Sequence, residues 1–429
     1  MDKVIHSDKN ITAFGGLNFI YKTINDKGLA AYLDEQMGYR GPCAKYSHSD
    51  IVLSLLGNSL VQGSYISDLE IFKEKYNEQF FGKIPSPDTV EYVCQQLKTP
   101  TVKRTTDKGV THLLNYSNDM NKTLVGLAVK TGMLKGGGDN GYILDFDNVI
   151  IENDKQDALR TYKKTKGYHP NLAFIGRVPV HIENHNGNTP ARYEQKETLE
   201  RCFDNLDKAG VRISAFRADS ASYQKEVVEL ACKHAATFYI RLNDCESLRK
   251  QCGQVKEWQK ILINHIVKEV ATIEYKPFGG KQAYRAVITR TERKDKQADV
   301  FSATAYDYYG ILTDEWFKDN KEVIEFYNQR GDAENSNRYM LGDFNLHHLP
   351  FPDMCTNTVF IYLMAMCATL FEWIKTVLVA NKVKAIAISM RVKAVCFHYI
   401  TVAATYITHA REKILKVFAP ANTYRQLQI

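Results

Sequence analysis

The sequence predicts a mixed α/β protein, with a mixed sheet flanked by helices, a helical N-terminal region and a β-rich insertion. Three observations carry this. Apolar, β-branched runs alternate with helical periodicity between residues 141 and 242. Strand-like runs then follow one another without intervening helices between about 255 and 318. Helical patterns dominate the first 135 residues and return after 319.

In the N-terminal region, Ile51, Leu53, Leu55, Leu56, Leu60 and Val61 fall near a helical period. A second helix is predicted over 84–98, capped by Ser86 or Asp88, with Val90, Val93, Cys94 and Leu97 on one face. The turn-rich KGGGDNG closes this region. Strands are expected over 141–151, 171–183, 211–219 and 237–242, with helices over 194–209 and 225–234. Further strands are expected over 271–275, 283–291 and 304–312, and helices over 321–340 and 353–380. The resulting division is a helical, DNA-binding segment 1–135, a core in two parts over 140–254 and 319–380, the insertion 255–318 between them, and a helical C-terminal segment 381–429.

Composition narrows the function classes. The 429 residues are 44% hydrophobic and 24% charged, as in a folded chain without long disordered tracts. A net charge of +7 suits a polyanionic partner without demanding one. Nine cysteines with no C-x-x-C spacing argue against a zinc site or a disulfide framework, and suit buried thiols in a reducing cytoplasm. The start lacks the apolar region of a signal peptide, and the run Val359–Phe371 is too short to span a bilayer. A cytoplasmic protein with no membrane partner is expected.

Three acidic segments point to chemistry. Asp145 and Asp147 lie in the strand ILDFD, where alternation puts both on one face. Two carboxylates on a sheet face are costly unless they meet water, a cation or a partner. Asp219 ends the strand FRAD, and Glu334 sits in the late helix. Acids on two strands and a late helix suit a two-metal site, because hard divalent cations take oxygen ligands with matching charge. Within one helix, Tyr327, Arg330 and Glu334 would share a face extended by Arg338, so an arginine could hold a phosphate beside the acid. His181 and His185 allow a metal-pair reading, but in a strand they read better as satisfied histidines.

These segments resemble a family. Tyr327-Asn-Gln-Arg330-Gly-Asp-Ala-Glu334 resembles the Y-x-x-R-x-x-x-E signature around the last acid of DDE transposases, closest to the insertion sequence 1380 family. ILDFDNVI resembles that family's first-acid strand, TYKKTKGYHPNLAFIG the strand after it, and FRADSASY the second-acid segment. IPSPDTV and the residues Asp343-Phe344 and Leu349-Pro350-Phe351 continue the likeness, which runs from about 10 to 380.

The resemblance implies an RNase H-like catalytic core with Asp147, Asp219 and Glu334 as its triad, spaced 219 − 147 = 72 and 334 − 219 = 115. Val149 favours Asp147 as first acid, with Asp145 its competitor. The triad would hold two Mg²⁺ ions, or Mn²⁺. The partners would be double-stranded DNA, both the element's terminal inverted repeats and the target, bound by a dimer. Lys163, Lys164, Lys166, Arg217, Tyr327, Arg330 and Arg338 are the expected DNA contacts. One departure is Leu341, where the signature has Lys; Arg330 or Arg338 would supply that charge. The rival readings are a nuclease of the same fold that never joins strands, and a DNA-binding protein without catalysis.

Overall fold

A computed structural model describes residues 11–76, 83–137, 141–292, 306–384 and 386–420, except for the side chains of 332–335. The N-terminal helices are α1 (Gly16–Asp26), α2 (Leu29–Met37), α3 (His48–Leu60), α4 (Asp68–Tyr76) and α5 (Pro87–Leu97). Ser47 and Asp50 form a capping box that starts α3, and Ser86 caps α5 as its sequence suggests. A hairpin not anticipated from sequence follows, β1 (Val102–Thr105) and β2 (Thr111–Asn115), and then α6 (Asn118–Thr131).

The central run begins with β3 (Tyr142–Asn148), followed by three short strands, β4 (Ile151–Glu152), β5 (Leu159–Arg160) and β6 (Lys166–Tyr168), which form a small sheet of their own. Gly167 is required there, because a Cβ would lie 2.3 Å from the Ile151 carbonyl oxygen. Then come β7 (Asn171–Ile175), β8 (Val178–His185), α7 (Gln195–Lys208), β9 (Ile213–Ala218), α8 (Lys225–His234), β10 (Ala235–Arg241) and α9 (Glu246–Gly253). The β-rich stretch gives β11 (Gln259–Ile263), β12 (Ile266–Tyr275), β13 (Tyr284–Glu292) and β14 (Tyr306–Thr313); the expected strand start at Thr304 lies outside the described residues. This stretch extends the core sheet, since β14 pairs with β10. Together the strands form one sheet of order β1-β2-β8-β7-β3-β9-β10-β14-β13-β12-β11. β3, β9 and β10 run parallel, and the other pairings in it are antiparallel.

Alternation decides what each face meets. Leu144 and Phe146 of β3, with Phe216 and Ala218 of β9, join α7 and α8 in one buried core. On the opposite face, Ala215, Tyr239 and Ile311 pack against Val323, Ile324 and Tyr327 of α10 (Asn320–Asn328). The expected single helix over 321–340 is two, α10 and α11 (Gly331–Asp343), broken at Gln329 and Arg330. A third core joins the N-terminal helices to α12 (Met354–Ala380), which is capped by Asp353 and buried nearly all round, as its uniform apolarity requires.

Residues 381–429 were expected to be helical; within the described part, up to 420, the structure shows otherwise, and 421–429 lie outside the described residues. After the short α13 (Val392–Val395) comes a hairpin, β15 (Ala404–His409) and β16 (Glu412–Val417). Ala410 and Arg411 both adopt positive φ in the two-residue turn, the conformation that matches strand twist. The hairpin is tied to the other end of the chain by bridges Thr12–Ala404 and Phe14–Val402.

Candidate functional site

The site grows from the parallel pair β3–β9. In their register Asp145 stands opposite Arg217 and Phe146 opposite Ala218. One residue further along are Asp147, still within β3, and Asp219, just past the end of β9, so two acids follow the last residues that pair these two strands, which are spaced by about 4.8 Å. Asp219 also caps the turn Ser220–Ser222, accepting from the Ala221 N–H at 2.9 Å.

One layer below lies a buried ion pair. Arg217 donates from Nε and Nη2 to the two oxygens of Asp145, each at 2.7 Å, and both side chains are 5% exposed. Its Nη1 donates to the Phe326 carbonyl of α10 at 2.8 Å. An isolated buried carboxylate costs several kcal/mol, and a bidentate guanidinium offsets that cost. Asp145, expected as the alternative first acid, is engaged by Arg217, and Arg217, expected as a DNA contact, directs its donors into the protein interior.

Tyr327 is likewise buried, its hydroxyl donating to the Ala218 carbonyl at 3.2 Å. It fixes the strand end that carries Asp219; expected as a DNA contact, it is placed in the protein interior. Arg330 follows at the break between α10 and α11, with Nη1 3.6 Å from Asp147 Oδ1 and its side chain 11% exposed. Burial opposes its charge, but the Tyr327 hydroxyl and the carboxylates of Asp147 and Asp219 more than offset this and raise its pKa. Because the helix is broken there, Tyr327, Arg330 and Glu334 do not lie along one continuous helical face.

Asn337, which the sequence reading missed, donates from Nδ2 to Asp147 Oδ2 at 3.0 Å. It lies one turn after Glu334 in α11, and that i, i+3 spacing was the available signal. The side chain of Glu334 lies outside the described residues. Lys163, Lys164 and Lys166 are exposed on the hairpin of β5 and β6, and Arg338 is exposed on α11. His169, just after that hairpin, is buried and bonds the Thr189 carbonyl at 2.9 Å. Burial lowers its pKa, the hydrogen bond to the Thr189 carbonyl opposes this, and the charges of Asp219 and Lys163 act on it with opposite sign.

His181 and His185 meet Glu183 rather than a shared open position. The fully buried Glu183 carboxylate accepts from His181 Nε2 at 3.1 Å, from Thr198 at 2.8 Å and bidentately from Arg201 at 2.6 and 2.9 Å. Among the described residues no group of three His, Cys, Asp or Glu side chains is placed to hold a metal ion. Asp147 and Asp219 are two carboxylates on a shared rim, and both offer the hard oxygen donors that divalent cations prefer. The arrangement pairs oxygen ligands with an adjacent guanidinium, a combination fitted to a phosphodiester.

The sequence profile of the family described as "Transposase DDE domain group 1" matches residues 12–427. Among solved structures, the chain is similar to a piggyBac transposase synaptic complex with hairpin DNA determined by cryo-electron microscopy. The two share 10% identity over 89% of this chain and 79% of that one, with a TM-score of 0.46. No curated protein matches the sequence.

Proposed function

The chain belongs to the transposase DDE domain group 1 family and is a DDE transposase; from this premise we propose that it cleaves DNA at the ends of an insertion sequence and joins the 3′ ends to target DNA. The observation that carries the proposal is the placement of Asp147 and Asp219, each one residue beyond the paired Phe146 and Ala218 of adjacent parallel strands, with Arg330 against Asp147. The strand order β8-β7-β3-β9-β10, three antiparallel strands followed by two parallel ones, supports an RNase H-like core. Its third acid would be Glu334 of α11. ILDFDNVI, FRADSASY and the Tyr327–Glu334 segment support the insertion sequence 1380 branch.

Asp147, Asp219 and Glu334 would hold two Mg²⁺ or Mn²⁺ ions. When bound, such ions supply Lewis-acid polarisation of a phosphodiester and activation of water or a 3′-hydroxyl. The protein's own contribution is positioning. Asn337 orients the Asp147 carboxylate, Tyr327 anchors the end of β9, and Arg330 is set to take a phosphate oxygen with a planar fork. Lys163, Lys164, Lys166 and Arg338 would grip neighbouring phosphates without reading sequence. The N-terminal helices up to residue 135 are proposed to bind the terminal inverted repeats, within a dimer assembled on DNA.

The test is cleavage and joining of a plasmid that carries the DNA flanking the coding sequence. Wild type is expected to nick and join with Mg²⁺ or Mn²⁺ and to stop in EDTA. Asp147→Asn, Asp219→Asn and Glu334→Gln should each abolish cleavage while end binding persists. Full cleavage by Asp219→Asn would remove the proposal. Cleavage without joining would identify a hydrolytic nuclease, and binding without metal-dependent nicking a protein that has lost catalysis.

A further inference from the structure

A third strand brings a cation to the level of the two acids. β10 lies parallel to β9, with Tyr239 opposite Arg217 and Ile240 opposite Ala218. The next residue, Arg241, ends β10 level with Asp219. The faces follow from the row below. Tyr239 packs its ring 4.7 Å from that of Phe326, and Arg217 bonds the Phe326 carbonyl, so both face α10. Two residues on, Arg241, Asp219 and Asp147 return to that same face on three consecutive strands spaced by about 4.8 Å.

The surroundings of Arg241 differ from those of the other arginines nearby. Arg217 and Arg330, the other arginines at the acids, each face a carboxylate. Arg241 is exposed and forms no ion pair among the described residues. Its guanidinium lies over the Tyr309 ring at 4.6 Å, and Tyr309 packs edge-on against Tyr327 at 6.4 Å. Tyr327 is the residue that anchors the Asp219 strand. A guanidinium stacked on a ring is held in place through its face, which leaves its N–H edge for an anion.

We propose that Arg241 takes a backbone phosphate of bound DNA on the β10 side of the acids, with Tyr309 as the platform that pre-orients it. The inference rests on the reading of the acids as a DNA-cleaving site. It adds a contact that sequence inspection missed, because TFYIR marks only a strand ending in arginine. DNA would then run across the ends of β3, β9 and β10, between the lysine hairpin at one side and Arg241 at the other.

Binding of a random-sequence DNA duplex is measured over a series of salt concentrations, using Asp219→Asn protein as the cleavage-deficient parent. Adding Arg241→Ala is expected to weaken binding on the order of tenfold and to reduce the slope of log K against log salt by about one. Arg241→Lys should keep the slope and lose part of the affinity, and Tyr309→Leu should weaken binding with the slope retained. Thermal unfolding is followed in parallel; if Arg241→Ala misfolds, Arg241→Gln, which keeps a stem over the ring, replaces it. A folded Arg241 variant with the parent's affinity and slope overturns this inference alone. A parent that binds no DNA overturns the functional reading and this inference with it.

Discussion

Replacing Arg217 by alanine would strip the buried Asp145 carboxylate of both guanidinium bonds at 2.7 Å and remove the tie to the Phe326 carbonyl. At 5% exposure, water cannot substitute for them. Breaking one side of such a pair leaves an uncompensated charge and costs about 3–5 kcal/mol. The paired replacement Asp145→Val with Arg217→Met removes both charges at roughly the same summed volume, so it should come within about 1 kcal/mol of wild type. The assay is urea unfolding of wild type, the single variant and the pair, comparing midpoints at unchanged slope. DNA binding supplies a second readout. A buried Arg217 predicts an unchanged salt slope in Arg217→Ala, whereas a phosphate contact would lower it by about one. A loss of stability below about 1 kcal/mol, or a pair variant as unstable as the single one, would refute the assignment of these two residues to a structural ion pair.

Two further outcomes are expected. Arg330→Ala should slow nicking by about a hundredfold or more, as loss of a preorganised donor does at other charged transition states, with Arg330→Lys restoring only part of the rate; wild-type nicking in a folded Arg330→Ala protein would make it a bystander. Burial works against the charge of Glu183, but hydrogen bonds from His181 and Arg201, with the His185 imidazole 3.8 Å away, hold its carboxyl well below the usual value of 4.5. Its stabilisation is therefore present above that value and is lost as pH falls through the lower folded one, so Glu183→Gln should show a shallower decline of unfolding midpoint on acidification. Equal declines in the two proteins would count against this linkage.

Local pattern determined much of the frame by itself. β-branched alternation marked ILDFD and FRAD as strands, capping chemistry marked the start of α5, and uniform apolarity marked α12 as a buried helix. Those signals lie within a few residues of the element they specify. Pairing partners do not, and there the tertiary structure decided. Asp145 and Asp147 share a face in sequence, and only the approach of Arg217, 72 residues away, sorts one into a buried ion pair and leaves the other at the rim. The break at Gln329 and Arg330 was invisible because both residues keep helical angles. The C-terminal hairpin is not legible locally either, since β15 and β16 pair with each other and β15 is bridged at Ala404 to Thr12, nearly four hundred residues earlier. The row of Asp147, Asp219 and Arg241 exists only once three strands align, because a register is a relation between segments and no single segment encodes it.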